Sequence, residues 1–171
     1  MRVEGRTLIW LTVALLGCKS EPSRTDVVAP TSATPGTATA PPNHLELVKA
    51  KPHVPVEVLM QDELERADGT GQRVIVYVGA AWCEPCRYFH DAAAKGELDE
   101  AFPNLRIVEF DLDDDEARLQ VAGCRSRMIP LFARVTPEGK CDPERRMMGS
   151  IKGPGAVTNI TPRLRALLKD S

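Results

Sequence analysis

The chain has 171 residues, 43% apolar and 27% charged, enough for one globular domain with a sizeable core. A formal net charge of −2 supplies no basic footprint for displacing counterions from phosphates, so nucleic acid is not an expected partner. Of the 14 Pro, five fall between Glu21 and Pro42, so they mark a segment rather than the whole composition.

Arg2 and Arg6 precede ten uncharged residues, Thr7 to Leu16. That stretch is too short to span a bilayer, which takes about 20 apolar residues as a helix. It ends in Leu15-Leu16-Gly17-Cys18, which resembles a bacterial lipobox. The resemblance implies a signal peptide over residues 1–17 and a lipid on Cys18, the first residue of the mature chain. An ordinary secretory signal with an incidental cysteine is the alternative, and both readings export the protein. Lys19 after the cysteine favours the outer over the inner membrane, with the chain facing the periplasm, as a family-level sorting inference. From Lys19 to His44, 17 of 26 residues are Pro, Thr, Ala or Ser and none is aromatic. Such a segment buries too little to offset its ordering entropy, so residues 18–44 are expected to form an anchor and an extended tether reaching roughly 85 Å.

Residues 45–171 alternate helix and strand signals. Val58, Leu59, Leu64 and Ala67 predict one face of a helix stopped by Asp68-Gly69-Thr70-Gly71. The apolar run Val74 to Val78 predicts a central strand covered on both faces. A helix is expected from Glu84 to Lys95, a second buried strand from Leu105 to Phe110, and a helix from Asp113 to Val121. Leu131–Val135 and Cys141–Met148 flank Pro137-Glu138-Gly139, a hairpin signal. Thr161 is expected to cap a last helix with Pro162 in its first turn and Leu164, Leu167 and Leu168 buried.

The chemistry concentrates at Trp82-Cys83-Glu84-Pro85-Cys86, where the central strand hands over to a helix. A sulfur at a helix start faces unpaired amides and the positive end of the dipole, which favours its thiolate. Cys83 is therefore the candidate nucleophile, Cys86 one turn away the resolving thiol, and Pro85 stiffens the turn. Half a zinc site has the same spacing, but a second C-x-x-C is missing and the histidines are only His44, His53 and His90, so neither metal nor cofactor is expected.

From Leu45 to Leu168 the chain resembles the thioredoxin superfamily, through V-I-V-Y-V-G-A-A-W-C-E-P-C-R, Ile129-Pro130, and Gly139 and Gly149 in the closing hairpin. The resemblance implies an α/β thioredoxin fold, a central mixed sheet flanked by helices. It implies a cis peptide before Pro130, lying against the C-x-x-C, with the backbone of Ile129 exposed to a substrate strand, and Trp82 as a partly exposed lid. It also implies a thiol–disulfide oxidoreductase acting on protein disulfides in the cell envelope. The exported context is similar to the C-terminal domain of membrane thiol:disulfide interchange proteins, and a membrane protein of that kind is a candidate partner. The Glu84-Pro85 dipeptide is shared with cytochrome-c-maturation thiol reductases, although Leu112 to Met128 leaves no room for their extra strand and helix. A non-catalytic binding module holding Cys83–Cys86 as a static disulfide is the other alternative.

One departure bears on mechanism. Thioredoxins keep a buried acid six residues before the first cysteine to accept the resolving thiol's proton, and here that place is Tyr77. Glu84 and His90 are the substitutes to weigh, His90 lying one turn beyond Cys86, against the plainer reading of an exposed helix residue. The acidic run Asp111 to Glu116 lacks the glycine and distal glutamate of a calcium loop and suits a helix N-terminus. Arg125 and Arg127 favour surface solubility over orienting an acidic partner. Cys124 and Cys141 are expected to be free, or Cys124 redox-active, because they are assigned to opposite ends of a strand about 17 Å long, beyond the ~7 Å Cα limit of a disulfide.

Overall fold

A computed structural model describes residues 43–169, so the expected signal peptide, Cys18 and the expected linker up to Pro42 lie outside the described residues. The elements are β1 (Leu45–Lys49), α1 (Val56–Asp68), β2 (Arg73–Gly79), α2 (Glu84–Ala94), β3 (Leu105–Asp111), α3 (Leu112–Val121), β4 (Leu131–Val135), β5 (Cys141–Met148) and α4 (Ala156–Leu168). The sheet order is β1-β3-β2-β4-β5. Strands β1 and β2 run parallel to β3, while β4 pairs antiparallel with both β2 and β5. Among the described residues no helix is long and apolar enough to cross a membrane.

Strand β2 shows why its sequence is apolar throughout. Side chains alternate across a strand, so Ile75 and Tyr77 face one layer while Val74, Val76 and Val78 face the other. The first layer joins them to Phe89 of α2, Phe132 of β4 and Ile160 and Leu164 of α4. The second joins the valines to Leu59 and Met60 of α1, Phe110 of β3 and Leu119 of α3. Fully burying each such side chain is worth roughly 1.5–3 kcal/mol. Tyr77, Phe89 and Phe132 also pack ring against ring, at centroid distances of 4.9 to 5.6 Å.

Two sequence expectations are corrected, and one strand is added. In α1 the buried face is Val56, Leu59, Met60, Glu63 and Ala67, and Val58 is 47% exposed. The face begins two residues earlier, at Val56, and a glutamate completes it: Glu63 receives Arg106 Nε at 2.6 Å and Arg66 Nη1 at 2.9 Å. Helix α4 starts at Ala156, not at Thr161, and runs through Pro162. Its seam Ala156, Ile160, Leu164 and Leu168, spaced by four, outweighs the local cap signal, and the Thr161 hydroxyl donates back to the Val157 carbonyl at 2.8 Å. Strand β1 had no counterpart in the sequence reading, since only Leu45 of its five residues is buried. Its definition comes from pairing, Leu45 against Leu105 through Lys49 against Glu109.

The hairpin expected around Pro137-Glu138-Gly139 joins β4 to β5, with the Thr136 amide donating to the Lys140 carbonyl at 2.8 Å. Gly139 has a positive φ of 78°, and a Cβ there would collide with the backbone of Glu57, so glycine is required twice over. The acidic run opens α3 as expected: Asp111 is the N-cap, and its carboxylate accepts the Asp113 amide at 2.9 Å.

Candidate active site at the strand-to-helix junction

Cys83 is the N-cap of α2, and its Sγ accepts the Cys86 amide at 3.3 Å. Cys83 and Cys86 are joined by a disulfide with Cα atoms 5.2 Å apart, and both residues are nearly buried, at 4% and 2% exposure. Pro85 occupies the first turn, where no intrahelical amide is needed. Once the disulfide opens, the Cys83 sulfur sits where free helix amides and the dipole stabilise negative charge.

The Ile129–Pro130 peptide bond is cis, as the resemblance implies. It is held from two sides. The Gly149 amide donates to the Pro130 carbonyl at 2.8 Å, and Arg163 of α4 donates to the carbonyls of Met148 and Gly149 at 2.8 and 2.7 Å. On the other side Ser126 Oγ accepts the Met128 amide at 3.1 Å and donates to the Met128 carbonyl at 2.6 Å, closing the turn that leads into Ile129. A groove of about 400 Å³ therefore runs past Cys83, lined by Trp82, Pro85, Met128, Ile129 and Ser150 among others.

Trp82 is 63% exposed at the rim of this groove, and its Nε1 donates to Asp113 at 2.8 Å, so the indole is held at the edge. Glu84 reaches across to the loop before α4. Its Oε1 accepts the Gly153 amide at 3.1 Å and braces the β5–α4 loop against α2. Arg127 lines the groove, whereas Arg125 pairs with Glu116 at 3.5 Å.

Behind the disulfide lies a second open pocket, of about 410 Å³, lined by Cys86, Tyr77, His90 and Glu109 together with Lys49, Asp111 and other residues. His90 is not an exposed residue touching nothing: its Nε2 meets Glu109 Oε1 at 2.9 Å and its ring packs 5.5 Å from that of Tyr77. Glu109 stands opposite Tyr77 in the β2–β3 register. The Tyr77 hydroxyl is buried without a protein hydrogen-bond partner among the described residues. Burial first, and then the charges of Glu109 and Asp111, hold its phenol protonated well above the usual range. Glu109 escaped the sequence reading although it carried a signal, an acid in the middle of the buried run Leu105 to Phe110.

Cys124 and Cys141 are neither free nor paired elsewhere: they form a second disulfide, with Cα atoms 5.1 Å apart. The expectation failed on the direction of α3. That helix leaves the active end of β3 and carries the chain back, so Cys124 reaches the same end of the sheet as Cys141, the start of β5. The two disulfides lie in different core layers, Cys83–Cys86 with Phe89 and Cys124–Cys141 with Leu119.

Strand order β1-β3-β2-β4-β5, a C-x-x-C pair at the turn from β2 to α2 and a cis-proline leading into β4 define a thioredoxin fold. Neither a protein-family model nor a curated protein sequence matches the chain. Solved structures similar to it include a thioredoxin mutant from Halobacterium salinarum, 17% identical with TM-score 0.46, covering 78% of this chain and 98% of that one. Thioredoxin O1 from Arabidopsis thaliana is 20% identical with TM-score 0.42, covering 74% and 99%, and thioredoxin from Trypanosoma brucei brucei is 17% identical with TM-score 0.45, covering 73% and 93%.

Proposed function

We propose that the protein is a thiol–disulfide oxidoreductase of the cell envelope, anchored through Cys18 and acting on protein disulfides through Cys83 and Cys86. The observation that carries this reading is the position of Cys83, a helix N-cap sulfur opening onto a groove beside the cis-proline segment. A substrate strand laid along Ile129 would bring its own sulfur to Cys83, and the mixed disulfide formed there would be released by Cys86. The exported, oxidising context suits both disulfides, and a membrane thiol–disulfide interchange protein is the proposed redox partner. The groove also favours this reading over a static binding module, since Cys83, although nearly buried, lines it.

Trapping tests the proposal. Cys86→Ser should accumulate mixed disulfides with envelope proteins on non-reducing gels, and Cys83→Ser should capture none. A native-state disulfide that resists dithiothreitol would leave the binding-module reading in possession, and capture by the Cys83 variant would show that the nucleophile is misassigned.

A further inference from the structure

We infer that His90, positioned by Glu109, is the proton acceptor for the resolving thiol Cys86. The inference rests on the exchange reaction proposed above and identifies the base that its second step requires. In that step Cys83 is already bonded to a substrate sulfur. The Cys86 thiol gives up its proton, its sulfur attacks Cys83 Sγ, the bond between Cys83 and the substrate sulfur breaks, and the substrate leaves as a thiolate that takes up a proton from water. The substrate disulfide is reduced and Cys83–Cys86 is oxidised, with no further reagent.

The geometry leaves few bases for that proton. Cys86 is 2% exposed and borders the rear pocket, so the proton leaves through that pocket. The titratable and charged groups facing His90 there are Tyr77 of β2, Glu109 and Asp111 of β3, Lys49 of β1, and Arg87 and Asp91 of its own helix. Tyr77 occupies the place of an acid but is held in its protonated form, so it cannot act as the base. Lys49 and Arg87 are cations. His90 stands one turn beyond Cys86 on α2, where i and i+4 side chains are neighbours, and both line a pocket with room for a bridging water. Glu109 Oε1 lies 2.9 Å from Nε2 and orients the ring, which leaves Nδ1 as the nitrogen able to take the proton. The imidazole is 35% exposed, so it can pass the proton on to solvent.

The two steps can be timed separately. In the full chain, with all other thiols blocked and Cys83 and Cys86 then reduced, 5,5′-dithiobis(2-nitrobenzoic acid) releases one thionitrobenzoate as it loads Cys83 and a second as Cys86 resolves the adduct. His90→Ala should lower the ratio of resolution to loading rate by roughly a hundredfold at neutral pH, within the range of general-base effects. Added imidazole should restore it in proportion to concentration. Glu109→Gln should slow resolution alone, yet add nothing in the His90→Ala background, as expected of a positioning residue. An unchanged ratio, a fall in both phases together, or a deficit that imidazole does not relieve would overturn the assignment. So would an equal loss in Tyr77→Phe, which would make the phenol the acceptor. A wild-type chain that loads but never resolves would instead defeat the exchange reaction itself, and this inference with it.

Discussion

The Ala122 carbonyl accepts the Cys141 amide at 3.0 Å, and that bond sets the end of α3 against the start of β5. The neighbouring residues complete the join: Cys124 bonds to Cys141, and the chain turns between them through Gly123 at φ 72°. The second disulfide thus fastens the connection from α3 to the cis-proline segment at its far end, away from Cys83 and Cys86.

Closing a loop of 17 residues' separation should contribute about 3 kcal/mol in the chain-entropy model. Replacing both Cys124 and Cys141 with Ser should therefore lower the urea unfolding free energy by about that amount while leaving the loading rate of Cys83 within about twofold. An unaltered midpoint would show that the bridge does not stabilise the fold, and a large loss of exchange would make it part of the reactive machinery.

Tyr77 offers a substitution of opposite sign. Its ring packs against Phe89 and Phe132, but its buried hydroxyl has no protein partner among the described residues. Tyr77→Phe keeps the ring and removes an unsatisfied polar group, so it should stabilise the domain by about 1 kcal/mol. Gly79→Ala should do the reverse, since a Cβ there would stand 2.6 Å from that hydroxyl. The pair belongs in a single denaturant series, where the double variant should recover part of the loss from Gly79→Ala.

The cluster of Arg106 with Glu46 and Glu63 makes stability depend on pH at the acid end. The hydrogen bond from Arg106 holds the Glu46 carboxyl below its usual value of 4.5. A depressed carboxyl contributes stability that is fully present above that usual value and is lost as pH falls through the lower folded one. Melting temperature should therefore drop on acidification below about pH 4.5, and part of that slope should vanish in Arg106→Leu. The same variant leaves Glu63 buried with Arg66 alone and should cost about 3 kcal/mol at neutral pH. A melting temperature that keeps its full acid slope without Arg106 would assign the slope to other groups.

The proposed anchor makes a cellular prediction. Cys18→Ala should abolish palmitate labelling and release the domain from membrane fractions. Shortening the linker by deleting residues 30–42 should leave exchange by the purified protein intact while shifting Cys83–Cys86 toward the disulfide in cells, because a shorter tether meets its reductant less often. Equal redox states in the two chains would show that reach does not limit reduction.

Much of the site was legible because its parts are local. Cys83, Pro85 and Cys86 lie within one turn, and a strand run ending at a helix start places a sulfur at the N-cap by chain geometry alone. The run Val74 to Val78 announced a strand covered on both faces, and Pro137-Glu138-Gly139 a hairpin, since each depends on neighbouring residues. Helix α4 shows the limit: Thr161-Pro162 is a sound local cap signal, yet the buried seam on either side carries the helix through it.

By itself the sequence placed two cysteines at a helix start, and its resemblance to thioredoxins implied a proline lying against them and a tyrosine where a proton-accepting acid would stand. Only the tertiary structure decided what meets them. The direction of α3 brought Cys124 to Cys141, reversing the expectation that they stay apart. The β2–β3 register set Glu109 beside Tyr77 and within reach of His90. Such contacts join residues far apart in the chain, and their distance depends on helix direction and strand register, which arise from burying both faces of the sheet at once rather than from any short run of residues.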